Sequence, residues 1–286
     1  MVETVISKAG DFFASVFHTV PPGLIICGLF AFIEGRKYIG DFRHEFVGTL
    51  IMICCTFSAG KWVGSNSTPI AWLSHAIGVV TADKVAGGPH VNPAVTMSMF
   101  CLGKCGYTEG LVRIAAQIGG GLVAFPLYHN ISEFLKLTPF GGPEFDVPSD
   151  KDHATEAFLS EFTATICLMF AIYILNWELN FGTYHYWIKQ TLTAVAIRAL
   201  IELFPTAGPA MNPMLATTWA VFGVGDTFEF PGGFQHYFVY WIAPFLGAIV
   251  ASVLYVVYAG GTVFGKSLPV GPFKKPKATI SKKKKN

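Results

Sequence analysis

Two short polar motifs, each placing Asn-Pro before a short apolar run, interrupt a chain that is otherwise strongly apolar. They read Gly-Gly-Pro-His-Val-Asn-Pro-Ala-Val-Thr over residues 87–96 and Gly-Pro-Ala-Met-Asn-Pro-Met-Leu over residues 208–215. Asn is a favoured N-cap and Pro fits the first helical position, so Asn92 and Asn212 are each predicted to begin a helix. The runs that follow, 94–101 and 214–221, are too short to cross a bilayer, which takes about 20 residues. Two half-helices are therefore expected.

The composition places these half-helices in a membrane. Of the 286 residues, 52% are hydrophobic and 13% are charged, whereas about 25% of the residues of a soluble domain are charged. An all-α integral membrane protein is therefore predicted. Polar, glycine-rich backbone is tolerated at membrane depth only where it packs in protein or lines a watery cavity. The two motifs accordingly predict a pore or a binding site.

Other classes of function lack a sequence feature to support them. We find no nucleophile with a base, no nucleotide-binding loop and no cofactor signature, so an enzyme is not expected. The six cysteines lie mostly in apolar runs, which favours reduced packing residues over a metal site. Lysines crowd the C-terminal end, but no basic domain accompanies them, so a nucleic-acid partner is not expected.

The chain divides into five predicted segments. Residues 1–40 form a hydrophobic extension, which we interpret as a retained extra helix because its basic residues follow the apolar run instead of preceding it. The other segments are a first repeat at 41–134, a connecting loop at 135–155, a second repeat at 156–260 and a basic cytosolic tail at 261–286.

The two repeats share a second motif besides Asn-Pro. Glu45-Phe46 with Thr49 recurs as Glu161-Phe162 with Thr165, at nearly the spacing that separates the two Asn-Pro pairs. Each repeat contains three membrane spans, so the second is inserted upside down and the half-helices meet at the midplane. We therefore predict six transmembrane helices plus two re-entrant half-helices in an inverted repeat, besides the extra N-terminal helix. The basic residues fall on one side of this topology and the acidic loop on the other.

These motifs resemble those of the aquaporin (major intrinsic protein) family over about residues 43–260. Gly-x-His-Val-Asn-Pro-Ala-Val-Thr at the first site is similar to that family's signature, whereas the second site has Met214 where the family usually has alanine. Leu215 stands where water-selective members usually carry arginine. The N-terminal extension, the Cys54-Cys55 pair and Leu215 are most similar to the unorthodox intracellular superaquaporin subgroup, and the basic C-terminus is similar to plant small basic intrinsic proteins.

The resemblance implies a passive channel for water and small neutral solutes such as glycerol. Leu215 favours glycerol, but the acidic residue that glycerol-conducting members carry after the second motif is absent, because Ala216 and Thr217 occupy that region. The alternative is a non-conducting structural or adhesive membrane protein with the same fold, in which Met214 occludes the pore. The resemblance also implies a homotetramer in the lipid bilayer, with one pore in each protomer.

The candidate site residues follow from the motifs and from this resemblance. The pore-lining candidates are Asn92, Asn212, His90, Val95, Met214, Leu215, Pro209, Trp72, Leu200 and Arg198, with His75 as a competitor to Trp72. Glu45, Glu161 and Gln117 are the candidates for supporting the pore loops, since the family's matching glutamates accept backbone donors there.

Arg198 is the least expected of these residues. An arginine within a membrane span costs about 2.5–3.5 kcal/mol on insertion scales. We therefore expect a second side chain that pairs with it and a structural or functional role for it. Glu202 lies four residues on and predicts an ion pair. Two roles stay open, a neutralised structural pair near the interface or a pore-lining arginine that replaces the one missing at position 215. His90 is interpreted as a structural loop donor, with gating by protonation as the alternative.

The C-terminal lysines and two glycosylation sequons give information about where in the cell the protein resides. Lys283 and Lys284 stand fourth and third from the end, which is a dilysine retrieval pattern and predicts the endoplasmic reticulum, with the plasma membrane as the alternative. The same lysines could instead serve as a polybasic stretch attracted to anionic lipid. Asn66 and Asn130 begin glycosylation sequons on the predicted non-cytosolic side.

Overall fold

The computed structural model describes residues 36–56, 68–136, 151–206, 209–223 and 230–274. The N-terminal extension, the Asn66 sequon, most of the connecting loop and the dilysine ending lie outside these ranges.

The described chain is helical apart from its loops and one short hairpin. A turn of 3-10 helix, Arg36–Tyr38, precedes the first helix, and the eight helices are listed here in chain order. They are α1 (Ile39–Thr56), α2 (Thr68–Ala86), α3 (Pro93–Cys101), α4 (Tyr107–Phe134), α5 (Lys151–Tyr173, extended by a π-helical turn, Ile174–Glu178), α6 (His185–Leu203), α7 (Pro213–Gly223) and α8 (Phe234–Ala259, with a π-helical segment at Phe238–Ile242). Two short strands follow, β1 (Thr262–Val263) and β2 (Lys266–Ser267), which pair antiparallel.

Six of the described helices are long and two are short, as the sequence predicts for six spans and two half-helices. Three of the long ones, α4, α5 and α8, combine the length and the apolar composition of a membrane span. The others, α1, α2 and α6, have 18 or 19 residues, which at 1.5 Å per residue is about 27–28 Å and close to the thickness of the hydrocarbon core. The half-helices α3 and α7 have 9 and 11 residues.

The packing follows the inverted repeat. In the first repeat α1 packs against α2 and α4, and in the second α5 packs against α8. Each half-helix is held by the last helix of the opposite repeat, because α3 contacts α8 and α7 contacts α4. The helices α2 and α6 complete the ring by packing against each other. The fold is therefore the aquaporin fold that the repeated motifs predict.

Equivalent glycines allow the close approach of helices in both repeats. A Cβ atom on Gly120 would lie 3.0 Å from the Phe46 carbonyl oxygen and 2.9 Å from the Thr49 Cβ atom. A Cβ atom on Gly247 would lie 2.7 Å from the Phe162 carbonyl oxygen and 3.1 Å from the Thr165 Cβ atom. The residues that repeat in the sequence, Glu-Phe-x-x-Thr, are thus the residues against which each repeat packs its last long helix.

Two predicted boundaries differ from the structure. Helix α5 begins at Lys151, not after residue 155, because the stretch 151–155 contains no Pro or Gly to stop a helix. Residues 261–274 are mostly exposed but are attached to the protein, because Val263 is buried against Cys101 and Val256, and the Phe264 N–H donates to the Cys101 carbonyl oxygen. Val263 and Leu268 are the apolar side chains of this stretch that join the hydrophobic cluster around Cys101 and Val256, before the lysine-rich end begins.

Candidate functional site

The loop that leads into each half-helix is held by a buried carboxylate. The Glu45 carboxylate accepts the N–H groups of His90 and Val91, both at 2.8 Å. The Glu161 carboxylate accepts the N–H groups of Ala210 at 2.5 Å and Met211 at 2.8 Å. Both carboxylates are fully buried. A backbone without helical hydrogen bonds at membrane depth must be satisfied by protein groups, and these glutamates supply the acceptors.

The carboxylates also hold a strained backbone. Val91 and Met211, the residues immediately before the two asparagines, both have a φ of 48°. This left-handed conformation is unfavourable for side chains other than Gly and Asn, and such residues cost on the order of 1–3 kcal/mol each. It turns the Val91 and Met211 carbonyl groups towards the opposite repeat, where they meet the asparagine side chains.

The two asparagines lock the half-helices together. Asn92 Nδ2 donates to the Met211 carbonyl oxygen (2.8 Å), and Asn212 Nδ2 donates to the Val91 carbonyl oxygen (2.9 Å). Asn92 Oδ1 accepts the Ala94 N–H (2.8 Å), and Asn212 Oδ1 accepts the Met214 N–H (3.2 Å). Each side-chain amide has two N–H donors, so these bonds leave one donor on each asparagine.

The asparagines lie in the wall of a cavity of about 800 Å³ that runs between the repeats. Among the predicted pore-lining residues, the cavity is lined by His90, Asn92, Val95, Arg198, Pro209, Asn212 and Leu215. About half of the remaining wall is aliphatic, with Met52, Val79, Leu168, Ile172, Ile197 and Ile201 among its members, and much of the rest is polar. Two positive half-helix ends and two amide donors therefore face a passage whose wall is partly aliphatic and partly polar.

The cavity has a lysine end, with Lys84 and Lys189, and an arginine end, with Arg198. At the lysine end Tyr186 donates its hydroxyl to Asp83 Oδ2 (2.6 Å), and Lys189 Nζ donates to Asn176 Oδ1 (2.7 Å). Arg198 stands nine positions after Lys189 in α6, which corresponds to about 13 Å along the helix axis. Polar groups thus lie at both ends of the passage and at its centre.

At the arginine end, Glu202 joins two helices. Arg198 Nε lies 3.3 Å from Glu202 Oε1, as the spacing predicts, and Trp72 Nε1 donates to the same oxygen (2.8 Å). Arg198 lines the cavity, whereas Glu202 and Trp72 do not. His75 also lines the cavity and is 6% exposed, and its Nε2 has no hydrogen-bond partner among the described residues.

Three of the predicted pore-lining residues are placed elsewhere. Trp72 does not line the cavity because its indole is turned to Glu202, and His75, one helical turn on, lines it instead. Leu200 packs in the core with Met211 and Ala248, while its neighbour Ile201 lines the cavity. Counting residues from a motif therefore identified helices that line the cavity but not which side of each helix faces it.

Met214 is the third of these residues. Its side chain is fully buried on the side of α7 that faces α4, where a Cβ atom on Gly121 would lie 2.8 Å from the Met214 sulfur. Thr218 lies on the same side and donates its hydroxyl to the Met214 carbonyl oxygen (2.7 Å). The absence of a side chain at position 121 provides the space for a residue larger than alanine.

The two glutamates have unequal surroundings. Glu45 contacts Arg113 Nη1 (2.8 Å) and Gln117 Nε2 (2.9 Å), and Arg113 also pairs with Glu109 and Asp41. Gln117 extends this network to Thr96 Oγ1 at 3.1 Å. Near Glu161, the part of the chain that the structure describes contains no basic side chain within ion-pair distance. The sequence identifies Glu45 and Gln117 but gave no reason to single out Arg113 as their partner.

Comparisons with known proteins place this geometry in a family. The family model described as "Major intrinsic protein" matches residues 33–255. Aquaporin TIP1-2 from Zea mays is 27% identical over 231 residues, which cover 76% of this chain and 85% of that protein. Aquaglyceroporin-2 from Rhizophagus irregularis is 28% identical over 242 residues and 74% of each chain. The solved aquaglyceroporin from Plasmodium falciparum has a TM-score of 0.57 at 24% identity, covering 77% of this chain and 94% of that chain.

The hydrogen bonds of Glu161 generate a prediction about stability. In Glu161→Ala the Ala210 and Met211 N–H groups lose their acceptors, and each unsatisfied buried donor costs about 1–3 kcal/mol. Glu161→Gln keeps one acceptor and should have an intermediate effect. Thermal unfolding of the detergent-solubilised protein should therefore rank the stabilities as wild type, then Glu161→Gln, then Glu161→Ala.

The matched control for this series is Glu156→Ala. Glu156 lies exposed on the same helix, so its replacement removes the same side chain without touching the loop. It should unfold like the wild type. Equal melting of Glu161→Ala and Glu156→Ala would contradict a supporting role for Glu161.

Proposed function

Because the chain belongs to the major intrinsic protein family, we propose that it is a passive membrane channel for water and small neutral solutes such as glycerol. The observation that carries this proposal is the cavity of about 800 Å³ with both asparagines in its wall. The aliphatic side chains of its wall offer a permeating molecule no hydrogen bonds, so beside them the molecule depends on the two amides at the centre and on the polar groups towards the two ends.

Exclusion of protons and cations would arise at the same centre. The N-termini of α3 and α7 each carry about half a positive charge, and the free amide donors add to it. A water there accepts hydrogen bonds from the asparagines and can donate only to waters further out, so it is oriented and a cation meets a barrier. Half-helix dipoles act in this way in aquaporin-type pores generally.

The placement of Met214 favours a conducting channel over the alternative, a non-conducting structural or adhesive protein. Occlusion by Met214 is the specific reason for that alternative, and the side chain is buried against α4, away from the cavity. Leu215, which lines the cavity where water-selective members usually carry arginine, leaves the passage wider and less polar at this wall. Glycerol is therefore included among the proposed permeants.

The proposal predicts osmotic permeability. Proteoliposomes that contain the purified full chain should shrink severalfold faster than empty liposomes after a salt gradient is applied, as measured by stopped-flow light scattering. Under a glycerol gradient they should first shrink and then re-swell as glycerol enters. Shrinkage no faster than that of empty liposomes under both gradients would instead support the non-conducting alternative.

We further propose that Arg198 and His75 select permeants at the arginine end. Arg198 reaches the cavity from α6, not from the position after the second motif, and Glu202 holds its guanidinium. His75 lies in the same wall, so its side chain narrows the passage beside the arginine. An arginine in a span costs about 2.5–3.5 kcal/mol, which the ion pair and the wet cavity offset.

Arg198→Ala tests this role. Removing the charge should raise proton and cation leakage of the proteoliposomes and increase glycerol entry, while water permeability stays within about twofold, because the barrier loses one unit charge in a site of low dielectric. The matched control is Arg43→Ala, which removes an exposed arginine of α1 outside the cavity wall. If a correctly folded Arg198→Ala excludes ions and glycerol like the control, the arginine is only a structural partner of Glu202.

Residence in the endoplasmic reticulum is proposed from the dilysine ending, Lys283 and Lys284. A fluorescent tag that leaves the C-terminus free should give a reticular pattern in cells, and Lys283→Ser with Lys284→Ser should move the protein to the cell surface, because retrieval requires both lysines. Plasma-membrane labelling of the unaltered chain would contradict the proposal.

A homotetramer is also proposed, on the strength of the family resemblance. Many large apolar side chains of the described helices are exposed, which leaves apolar faces for lipid or for other protomers. Size-exclusion chromatography with light scattering would measure the assembly, and a monomeric mass at all concentrations would exclude it.

A further inference from the structure

A second cavity, of about 380 Å³, lies at the C-terminal side of the fold and borders the channel wall at one residue. We call it the C-terminal cavity. It is bounded by the residues after α3, by the π-helical end of α5, by the end of α8 and by the segment that follows α8. The residues that matter below are Lys104, Trp177, Glu178, Tyr255 and Lys274.

The C-terminal cavity carries a net positive charge. Lys274 pairs with Glu178, and the Glu178 carboxylate also accepts the Tyr255 hydroxyl (2.8 Å), so this acid is neutralised. Lys104 Nζ lies 5.8 Å from the centre of the Trp177 ring, and no carboxylate of the described residues lies within ion-pair distance of it. One ammonium group therefore faces the cavity without a counter-charge.

The surroundings of the C-terminal cavity are those of a membrane interface. Trp177 and Tyr255 line it and Tyr258 lies beside Tyr255, and such aromatic residues concentrate at the level of the lipid headgroups. The main chain is fixed beside it, because the Phe273 and Lys274 N–H groups donate to the Val257 and Tyr258 carbonyl oxygens. The lysine-rich end of the chain begins at this point, with Lys275 and Lys277 as the next basic residues.

We propose that the C-terminal cavity binds the phosphate group of an anionic phospholipid, with Lys104 as its principal ligand and Lys274 as a second one. Basic pockets between membrane helices on the cytoplasmic side are suited to anionic headgroups, and each lysine near a membrane surface contributes about 1 kcal/mol. The aromatic rings provide an amphipathic rim for the lipid backbone. This site is separate from the proposed permeation path, so it does not depend on whether the channel conducts.

The site shares one residue with the channel. Trp177 lines both cavities and stacks on Tyr173, with ring centres 5.3 Å apart and an angle of 12° between the planes. It stands in the π-helical turn Ile174–Glu178, next to the acid that holds Lys274. A headgroup that draws Lys274 away from Glu178 would act on the turn that carries this part of the channel wall.

Calorimetric titration of the full chain in neutral detergent tests the proposal. Dihexanoyl phosphatidic acid should bind and dihexanoyl phosphatidylcholine should not. Lys104→Gln should weaken the binding about fivefold, which corresponds to ~1 kcal/mol for the lost charge. Glu178→Gln should strengthen it, because the cavity loses its only carboxylate among the described lining residues.

The matched control is Lys266→Gln. Lys266 is exposed in the hairpin beside the cavity but does not line it, so this variant loses the same charge from the same face. Its affinity should equal that of the wild type, and circular dichroism verifies the folding of each variant. Equal weakening by Lys104→Gln and Lys266→Gln would overturn the proposal, since it would mean diffuse attraction to a basic face. Equal binding of the two lipids, or weaker binding by Glu178→Gln, would overturn it as well.

A further titration arm identifies the source of the phosphate. Inorganic phosphate that displaces phosphatidic acid at millimolar concentration would support the site and assign its affinity to the phosphate alone. Phosphatidic acid that inorganic phosphate does not displace would support the site and show that the glycerol backbone or the acyl chains contribute.

Discussion

The hydrogen bonds between two buried glutamates and the loops before the half-helices are the interactions on which the rest of this structure depends. A chain that re-enters the membrane without completing a helix exposes backbone donors where no water can satisfy them. Glu45 and Glu161 accept two of these donors each, and one donor of each pair belongs to a residue with a positive φ, Val91 or Met211. Without these acceptors neither asparagine would be held at the centre of the cavity.

The strained backbone before each asparagine orients a carbonyl group towards the opposite repeat. A positive φ at Val91 and Met211 presents their carbonyl oxygens to the asparagine of the opposite repeat. The asparagine that begins each half-helix therefore donates a hydrogen bond to the loop before the other half-helix. The two halves are thereby joined through four polar groups at the midplane, where both asparagine side chains are buried and solvent competes little for these hydrogen bonds. One donor of each amide remains available, which is how the same residues can both hold the fold and contact a permeating molecule.

The two repeats resemble each other more closely in backbone fold than in the side chains that surround their buried glutamates. The first glutamate lies in a network with Arg113, Gln117 and Thr96, whereas the second accepts only backbone donors among the described residues. Ala216 occupies the position that corresponds to Thr96, four residues after the asparagine, and cannot supply a hydroxyl. The deviant second motif therefore coincides with a sparser supporting network, and Met214 fills the space beside Gly121.

The repeated motifs by themselves determined the fold class, the two half-helices and the helices that carry the site, because these depend on local signals. Asn-Pro caps a helix whatever surrounds it, apolar length sets the number of spans, and a repeated Glu-Phe-x-x-Thr marks equivalent helices. The Arg198–Glu202 pair is also local, since four residues of helix bring the two side chains together.

Only the tertiary structure decided which side of each helix faces the cavity. A rotation of one residue, about 100°, exchanges Leu200 for Ile201 in the wall, and no local pattern fixes that rotation when both sides are apolar. The same reason places His75 instead of Trp72 in the wall and turns Met214 towards α4. The contacts of Lys104, Trp177 and Lys274 join segments far apart in the chain, so their cavity exists only when the repeats are packed together.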